Sequence, residues 1–449
     1  MAFKYMDYFS APFEIFKIRN TWKNLQHSGK VSNDEKKLAL EKYTLLRLQF
    51  ICDYASKHIP FYKELFHKIN FDVNKLDCYE YFRRIPIIDK STVRANFDKM
   101  QSDEIASLRA VLYNTSGSTG TPLYFYRDKY TNAASFAMFW RVWEMTGSWK
   151  IGQKFAALTG YEDGKYVYQW KTRLLKLSSF HLNSQNSKLF YQLIKKFKPR
   201  ILRGYPSALF LFGKLLQEQG LSLKFPVIIT ESETLLKFQK DFIEEFYGAK
   251  VLDHYSHWEG IDSIYTCEKG NKHPLQDFGY HEIIKEDNHP ASNGETGKLI
   301  CTGLYNRAMP LIRYDTRDLA TYSNNQACDC GCGFPTIAQI IGRIEDVVVT
   351  PENNYVGRLD AAFKYSKNIN VSYIYQPNKD NIVVNIVPTE QYNYEDDEKP
   401  LIQELRKRLG NTITIKIKHI SNEDVPRTKG GKVRFVISDI PSDNKLGHI

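Results

Sequence analysis

Two groups of residues carry chemistry that can be read from residue type and spacing alone. The first is Thr115-Ser116-Gly117-Ser118-Thr119-Gly120-Thr121-Pro122. Its two glycines let backbone N–H groups close on an anion while the hydroxyls add donors, so the stretch can cradle phosphates. The same composition also suits a plain flexible surface loop. No Lys follows Gly120, which excludes the P-loop pattern, and the spacing is not that of a G-x-G-x-x-G dinucleotide turn. The second group is Cys267, His273, Cys328, Cys330 and Cys332, enough soft ligands for one tetrahedral Zn²⁺. A closed site of this kind is structural. The C-x-C spacing is tighter than the usual C-x₂₋₄-C, and the competing reading is a set of buried or loop thiols without metal.

The elements that must position these residues follow from periodicity. From about Asp34 to Phe66 apolar residues recur at helical spacing, as in Leu38, Leu40, Tyr43, Leu46 and Phe50, so the chain opens with helices. Between Phe197 and Ser256 the pattern becomes strand, helix, strand, helix, strand. Ile201-Leu202 centres a short strand, Ala208 to Gln219 is helical, and Val227 to Thr230 reads as a buried strand. Phe238, Phe242 and Phe246 then share one helical face, read as core packing, with Gly248 as the cap and extended chain from Val251. This is βαβ grammar, which predicts parallel sheet with covering helices. The last hundred residues restart the pattern as a small α+β domain. Ile382 to Val387 forms a strand, Leu401, Leu405 and Leu409 line one face of a helix, and Ile413, Ile415 and Ile417 alternate as in a half-buried strand. The expected fold is therefore α/β, with a large N-terminal domain of βαβ-type sheets over residues 1–342 and a small α+β domain over residues 343–449.

Bulk properties agree with such a chain. At 449 residues it exceeds what one core usually holds, and 42% hydrophobic with 14% aromatic residues describes a folded protein. The net charge of +11 suits a polyphosphate ligand, nucleic acid or an acidic membrane, and does not choose among them. The first twenty residues lack the uncharged core of a signal peptide, and no apolar run approaches the ~18 residues of a membrane span. Seven cysteines, clustered late, are unlike a secreted disulfide framework, so a cytoplasmic location is expected.

The eight residues from Thr115 resemble the phosphate loop of the adenylate-forming superfamily, which includes acyl-coenzyme A synthetases. Further segments match in order: Tyr255-Ser256-His257-Trp258-Glu259, Arg313-Tyr314-Asp315-Thr316-Arg317-Asp318, the hinge-like Gly342-Arg343-Ile344-Glu345, and Pro426 to Lys432 as the loop of the catalytic lysine. Ile59-Pro60-Phe61-Tyr62, Ile85 to Lys90 and Arg203-Gly204-Tyr205-Pro206-Ser207 resemble the phenylacetate–coenzyme A ligase-like branch, and within it CapK-type proteins of capsular polysaccharide clusters. Several positions depart from the family pattern. Arg317 stands where Gly is usual, Glu345 replaces the hinge Asp, and Ser256 and Trp258 replace Gly and Thr.

The resemblance implies roles for individual residues. Thr115, Ser116, Gly117, Ser118, Thr119 and Gly120 would bind the ATP phosphates, Tyr255 would lie against adenine, Asp318 would hold the ribose hydroxyls, and Arg343 would sit near ribose and phosphate. Glu259 would bind Mg²⁺, a hard cation that prefers carboxylate oxygen. Lys432 would stabilise charge at the α-phosphorus. Glu345 would mark the hinge, and the acid would lie near Tyr205, Glu233 and His257. The branch's Cys, His, Cys-x-Cys set selects Cys267, His273, Cys328 and Cys330 for structural Zn²⁺, with Cys332 or His281 in reserve. The expected activity is activation of a carboxylic acid by ATP through an acyl-adenylate, followed by transfer to coenzyme A or to an amine, including a sugar-linked one. The alternative is a non-catalytic nucleotide- or zinc-containing binding protein. No zinc-finger spacing or RNA-binding aromatic signature points to nucleic acid.

Overall fold

The computed structural model describes residues 12–27, 32–114, 123–160, 164–343, 348–352, 355–356, 359, 362–363, 368–427 and 433–440. It divides into two compact units, one of residues 148–253 with 341–449 and one of residues 2–147 with 254–340.

In the first unit Phe155–Thr159 lies parallel to both Leu174–Ser178 and Ile201–Gly204, and Val227–Glu231 extends the parallel set. All five residues of Phe155–Thr159 are buried, as expected of a parallel strand covered on both faces. The covering helices include Ser184–Phe197, Pro206–Glu218 and Lys237–Tyr247. Pro206 occupies the first turn of its helix, where a missing N–H costs nothing. Gly248 ends the third helix at φ 59°, the left-handed cap its type favours. Phe242 and Phe246 pack against this core with stacked rings 5.6 Å apart, in keeping with the packing role expected of them; the Phe238 side chain lies outside the described residues. Tyr166–Gln169 pairs antiparallel with Leu174–Ser178 and ends the sheet.

The C-terminal part of this unit has its own four-stranded sheet, ordered Thr414–His419, Asn381–Pro388, Ile369–Asn378, Val436–Ser438. The helix Lys399–Leu409 buries Leu401, Leu405 and Leu409 into a separate core with Ile382, Val384 and Ile386.

In the second unit the helix Pro12–His27 is followed by the long helix Asn33–His58, begun by a reciprocal capping box between Ser32 and Glu35. The expected helix is present, and of the apolar residues that mark its period only some are buried. Leu38, Leu46 and Phe50 are exposed by 67%, 55% and 43%, whereas Leu40, Thr44, Leu48, Ile51 and Ala55 are buried. Apolar residues occur on two faces of this helix, and only the face with i, i+4, i+8, i+11 continuity meets the core. The unit's sheet is largely antiparallel, with Gly279–Ile284, Thr296–Gly303 and Tyr314–Tyr322 adjacent, and Lys272–Pro274 beside Ser263–Thr266. The chain passes between units within the strands Lys250–Ser256 and Ile337–Arg343. Among the described residues no helix is long and apolar enough to cross a membrane.

Candidate active site and metal centre

Residues 115–122 themselves lie outside the described residues, but both of their flanks are fixed. Val111–Asn114 pairs antiparallel with Tyr124–Arg127, with Asn114 opposite Tyr124 and Tyr113 opposite Phe125. Arg127 is buried and donates from Nη1 to the Trp258 carbonyl at 3.0 Å, with its guanidinium 5.0 Å over the Trp258 ring. The Trp258 ring meets the edge of Tyr113 at 5.7 Å. The Thr-to-Trp departure at this position thus has a packing consequence: the indole braces the strand that enters the loop.

Tyr255, His257 and Asp318 come together in one hydrogen-bonded network. The Tyr255 hydroxyl donates to Asp318 Oδ2 at 2.6 Å, and His257 Nε2 lies 3.3 Å from the same oxygen. Asp262 holds the other side of the imidazole, accepting from His257 Nδ1 at 2.9 Å and from the His257 backbone N–H at 2.7 Å. Burial opposes charge on this ring, yet the Asp262 charge and the hydrogen bonds to Asp262 and Asp318 outweigh it and raise the His257 pKa to about 10. Burial and then the Asp318 charge hold the Tyr255 phenol neutral, well above its usual range. Asp318 is buried and its N–H donates to Thr316 Oγ1 at 3.1 Å. Glu259 is also buried, and its charge adds to those that favour the protonated His257 ring.

Two features explain how the sequence brings Asp318 into place. Arg317 has φ 65°, the left-handed region in which a glycine is at ease, so the family's usual Gly at this position has a conformational reason. Here the Arg317 N–H donates to Asp315 Oδ1 at 2.7 Å, a local tie that offsets part of the strain. The Ile85 to Lys90 segment braces the same strand: Ile88 N–H donates to the Arg313 carbonyl at 3.0 Å, and Asp315 N–H to the Ile88 carbonyl at 2.8 Å. Asp262 was not among the residues singled out from sequence. It follows His257 by five positions across a turn at Gly260, and nothing in the local pattern marks it as that ring's partner.

Cys267, His273, Cys328 and Cys330 form one cluster whose ligand atoms all lie within 4.8 Å of one another. Cys330 Sγ is 3.5 Å from His273 Nε2, and Cys267 Sγ is 3.8 Å from Cys328 Sγ. His273 Nδ1 lies 3.1 Å from the Pro335 carbonyl, a contact that fixes the tautomer and leaves Nε2 for a metal. Cys332 sits at the margin, 3.2 Å from Cys330 Sγ and 3.3 Å from His273 Nδ1. The donor set, three thiols and one imidazole, fits Zn²⁺. His281 is elsewhere, grouped with Asp262 and Cys301, and is therefore not a substitute ligand for this cluster. Burial pushes its pKa down to about 4 and keeps the ring neutral.

Tyr205 and Glu233 lie in the first unit. Glu233 Oε2 accepts from Ser207 N–H at 3.2 Å in the first turn of the helix Pro206–Glu218, and Oε1 accepts from Val433 N–H at 2.9 Å. Val433 follows Lys432 directly and bridges antiparallel to Arg427. Lys432 and Glu345 lie outside the described residues, as does the Arg343 side chain, although the Arg343 backbone ends its strand.

Comparison with known proteins places this geometry. The family described as the CapK C-terminal domain matches residues 348–439. Protein CapK of Staphylococcus aureus is 26% identical over 406 residues, covering 88% of each chain. A phenylacetate–coenzyme A ligase of Thermus thermophilus is 24% identical, covering 90% of this chain and 96% of its own. Among solved structures, 2-hydroxyisobutyryl-CoA ligase in its postadenylation state matches with TM-score 0.73 at 21% identity over 91% of both chains. The chain thus carries a CapK C-terminal domain, is homologous to CapK and to phenylacetate–coenzyme A ligases, and has the α/β fold of the adenylate-forming ligases.

Proposed function

We propose that this protein is an AMP-forming acid ligase. A carboxylate oxygen of the substrate attacks the α-phosphorus of ATP, the bond to pyrophosphate breaks, and an acyl-adenylate forms. The acceptor nucleophile then attacks the acyl carbon, loses its proton, and expels AMP. The observation that carries this reading is the Tyr255, His257 and Asp318 network on a chain homologous to such ligases along most of its length. Asp318 offers its carboxylate to the ribose hydroxyls, Tyr255 a flat face to adenine, and Glu259 a hard oxygen ligand to Mg²⁺. The loop from Thr115 to Gly120, framed by its two paired strands, takes the phosphates, and Arg343 serves the ribose and phosphate.

Lys432 supplies positive charge to the reacting phosphate. Glu233 supports that placement, since its carboxylate fixes the next residue, Val433, to the helix start at Ser207. Residues 343–449 act as the mobile small domain against residues 1–342, turning about Glu345 between the two half-reactions. Coenzyme A is the acceptor favoured by kinship with phenylacetate–coenzyme A ligases, and a sugar-linked amine in surface polysaccharide assembly is the one suggested by kinship with CapK. Tyr205, Glu233 and His257 flank the acid. Zn²⁺ on Cys267, His273, Cys328 and Cys330 is structural and takes no part in the reaction. The protein works in the cytoplasm.

The test is exchange of labelled pyrophosphate into ATP across a panel of carboxylic acids, with Lys432→Ala alongside. One acid should support exchange, and the variant should lose about 10² to 10³ in rate while still binding ATP. Absence of acid-dependent exchange with every acid, or full activity in the variant, overturns the reading.

A further inference from the structure

The charge of this protein is concentrated. Residues 148–200 contain eleven Lys or Arg against two Asp or Glu, a net of +9 within a whole-chain net of +11. This segment also holds a row of exposed aromatics. Tyr166, Tyr168 and Trp170 alternate along the sheet-ending strand and its turn, so they stand on one side of it, and they are exposed by 46%, 49% and 69%. An edge strand needs lysines to discourage strand pairing, but it does not need three large aromatics in water.

The row is joined to the end of the neighbouring helix. The Tyr168 ring meets the edge of Phe197 at 5.1 Å, and Lys154 Nζ lies 5.1 Å over the same Phe197 ring. Lys195 and Lys196 fill the last turn of that helix, Lys198 follows in the left-handed cap, and all three are exposed. Lys165 and Lys171 flank the strand, the latter with Nζ 5.4 Å over the Trp170 ring. Amphipathic rings set among lysines on an open face match the boundary between lipid headgroups and acyl chains, where Trp and Tyr concentrate and each basic residue adds attraction to anionic lipid. A second copy of the chain is disfavoured as the occupant because it would bring an equal positive charge against this one.

We propose that the strand Tyr166–Gln169 with Trp170 and the end of the helix Ser184–Phe197 form a docking surface for an anionic lipid membrane. Binding is peripheral and reversible, and it depends on salt because its charges are exposed. It does not depend on the ligase reading. The experiment is cosedimentation of the full chain with vesicles of phosphatidylcholine, alone or mixed with phosphatidylglycerol, at low and high salt. The mixed vesicles should bind the protein at low salt and the neutral ones should not. Lys195→Gln with Lys196→Gln should lower the partition roughly tenfold or more, and Trp170→Ser should lower it at unchanged charge. Both variants alter exposed side chains, so their thermal melts and pyrophosphate exchange should match the parent. Equal binding to both vesicle types, or parental binding by both variants, overturns the proposal. So does retention on an oligonucleotide or an anionic polysaccharide without any on the vesicles.

Discussion

The second unit holds two clusters built from similar residues that reach opposite electrostatic solutions. In the cluster of Cys267, His273, Cys328 and Cys330 soft donors converge on one another, their ligand atoms all within 4.8 Å. In the cluster of Tyr255, His257, Asp262 and Asp318 each charge already has a partner, with one imidazole held between two carboxylates. The first arrangement suits a divalent metal, which would supply positive charge to the thiols. The second is charged and hydrogen-bonded before any ligand arrives, so it presents a fixed acceptor geometry and little reorganisation on binding.

The sharpest way to break this contrast is to remove one thiol. Cys328→Ser should lose the metal and much of the unit's stability, since structural Zn²⁺ contributes about 10 to 16 kcal/mol in small zinc peptides and its ligands fold with it. Elemental analysis of protein prepared without added metal should find one Zn²⁺ per chain in the parent and less in the variant, with a lower melting temperature. Parent protein without zinc, melting like the variant, would reduce the cluster to ordinary buried thiols. A smaller effect is expected from the other cluster. Asp318→Asn keeps shape and removes charge, and hydrogen bonds to a charged group are worth about 1.5 to 3 kcal/mol, so kcat/KM for ATP should fall about 10- to 100-fold. Zinc content should not change. If both zinc and activity fell together, the two clusters would not be independent.

These clusters also mark what could be read before any coordinates were known. The grouping of Cys267, His273, Cys328 and Cys330 was legible because thiols and an imidazole point to soft-metal chemistry by type, and a separation of 61 positions from Cys267 to Cys328 is no obstacle once the fold brings the two segments together. The parallel strands Ile201–Gly204 and Val227–Glu231 and the helix at Leu401, Leu405 and Leu409 were legible through short apolar runs and 3.6-residue spacing respectively. The buried face of Asn33–His58 was not, because its apolar residues occupy two faces and only packing selects between them. Asp262 escaped for a related reason: its importance lies in a contact with His257 across a turn, which leaves no periodic trace. The left-handed Arg317 was visible only as a departure from a family glycine, and the conformation gives that departure its meaning.

The finest test of the comparison is the protonation of His257. Its folded pKa is raised to about 10 from the ordinary 6.5, because Asp262 and Asp318 favour the charged ring more than burial disfavours it. A raised pKa means that the folded state binds the proton more tightly than the unfolded chain. The stabilisation is therefore complete below pH 6.5 and declines as pH rises toward and through 10, where the folded ring also loses its proton. The decline cannot exceed about 1.4 kcal/mol per pH unit for one group, and partial solvent access makes it less. His257→Gln keeps a donor toward one carboxylate but cannot carry charge, so it should be less stable than the parent at neutral pH. Its urea-denaturation midpoint should then converge on the parent's as the pH is raised across that window. Parallel midpoints throughout would mean that the ring is neutral in the folded protein. Asp262 and Asp318 would then face each other with no positive charge between them, and the contrast with the thiol cluster would fail.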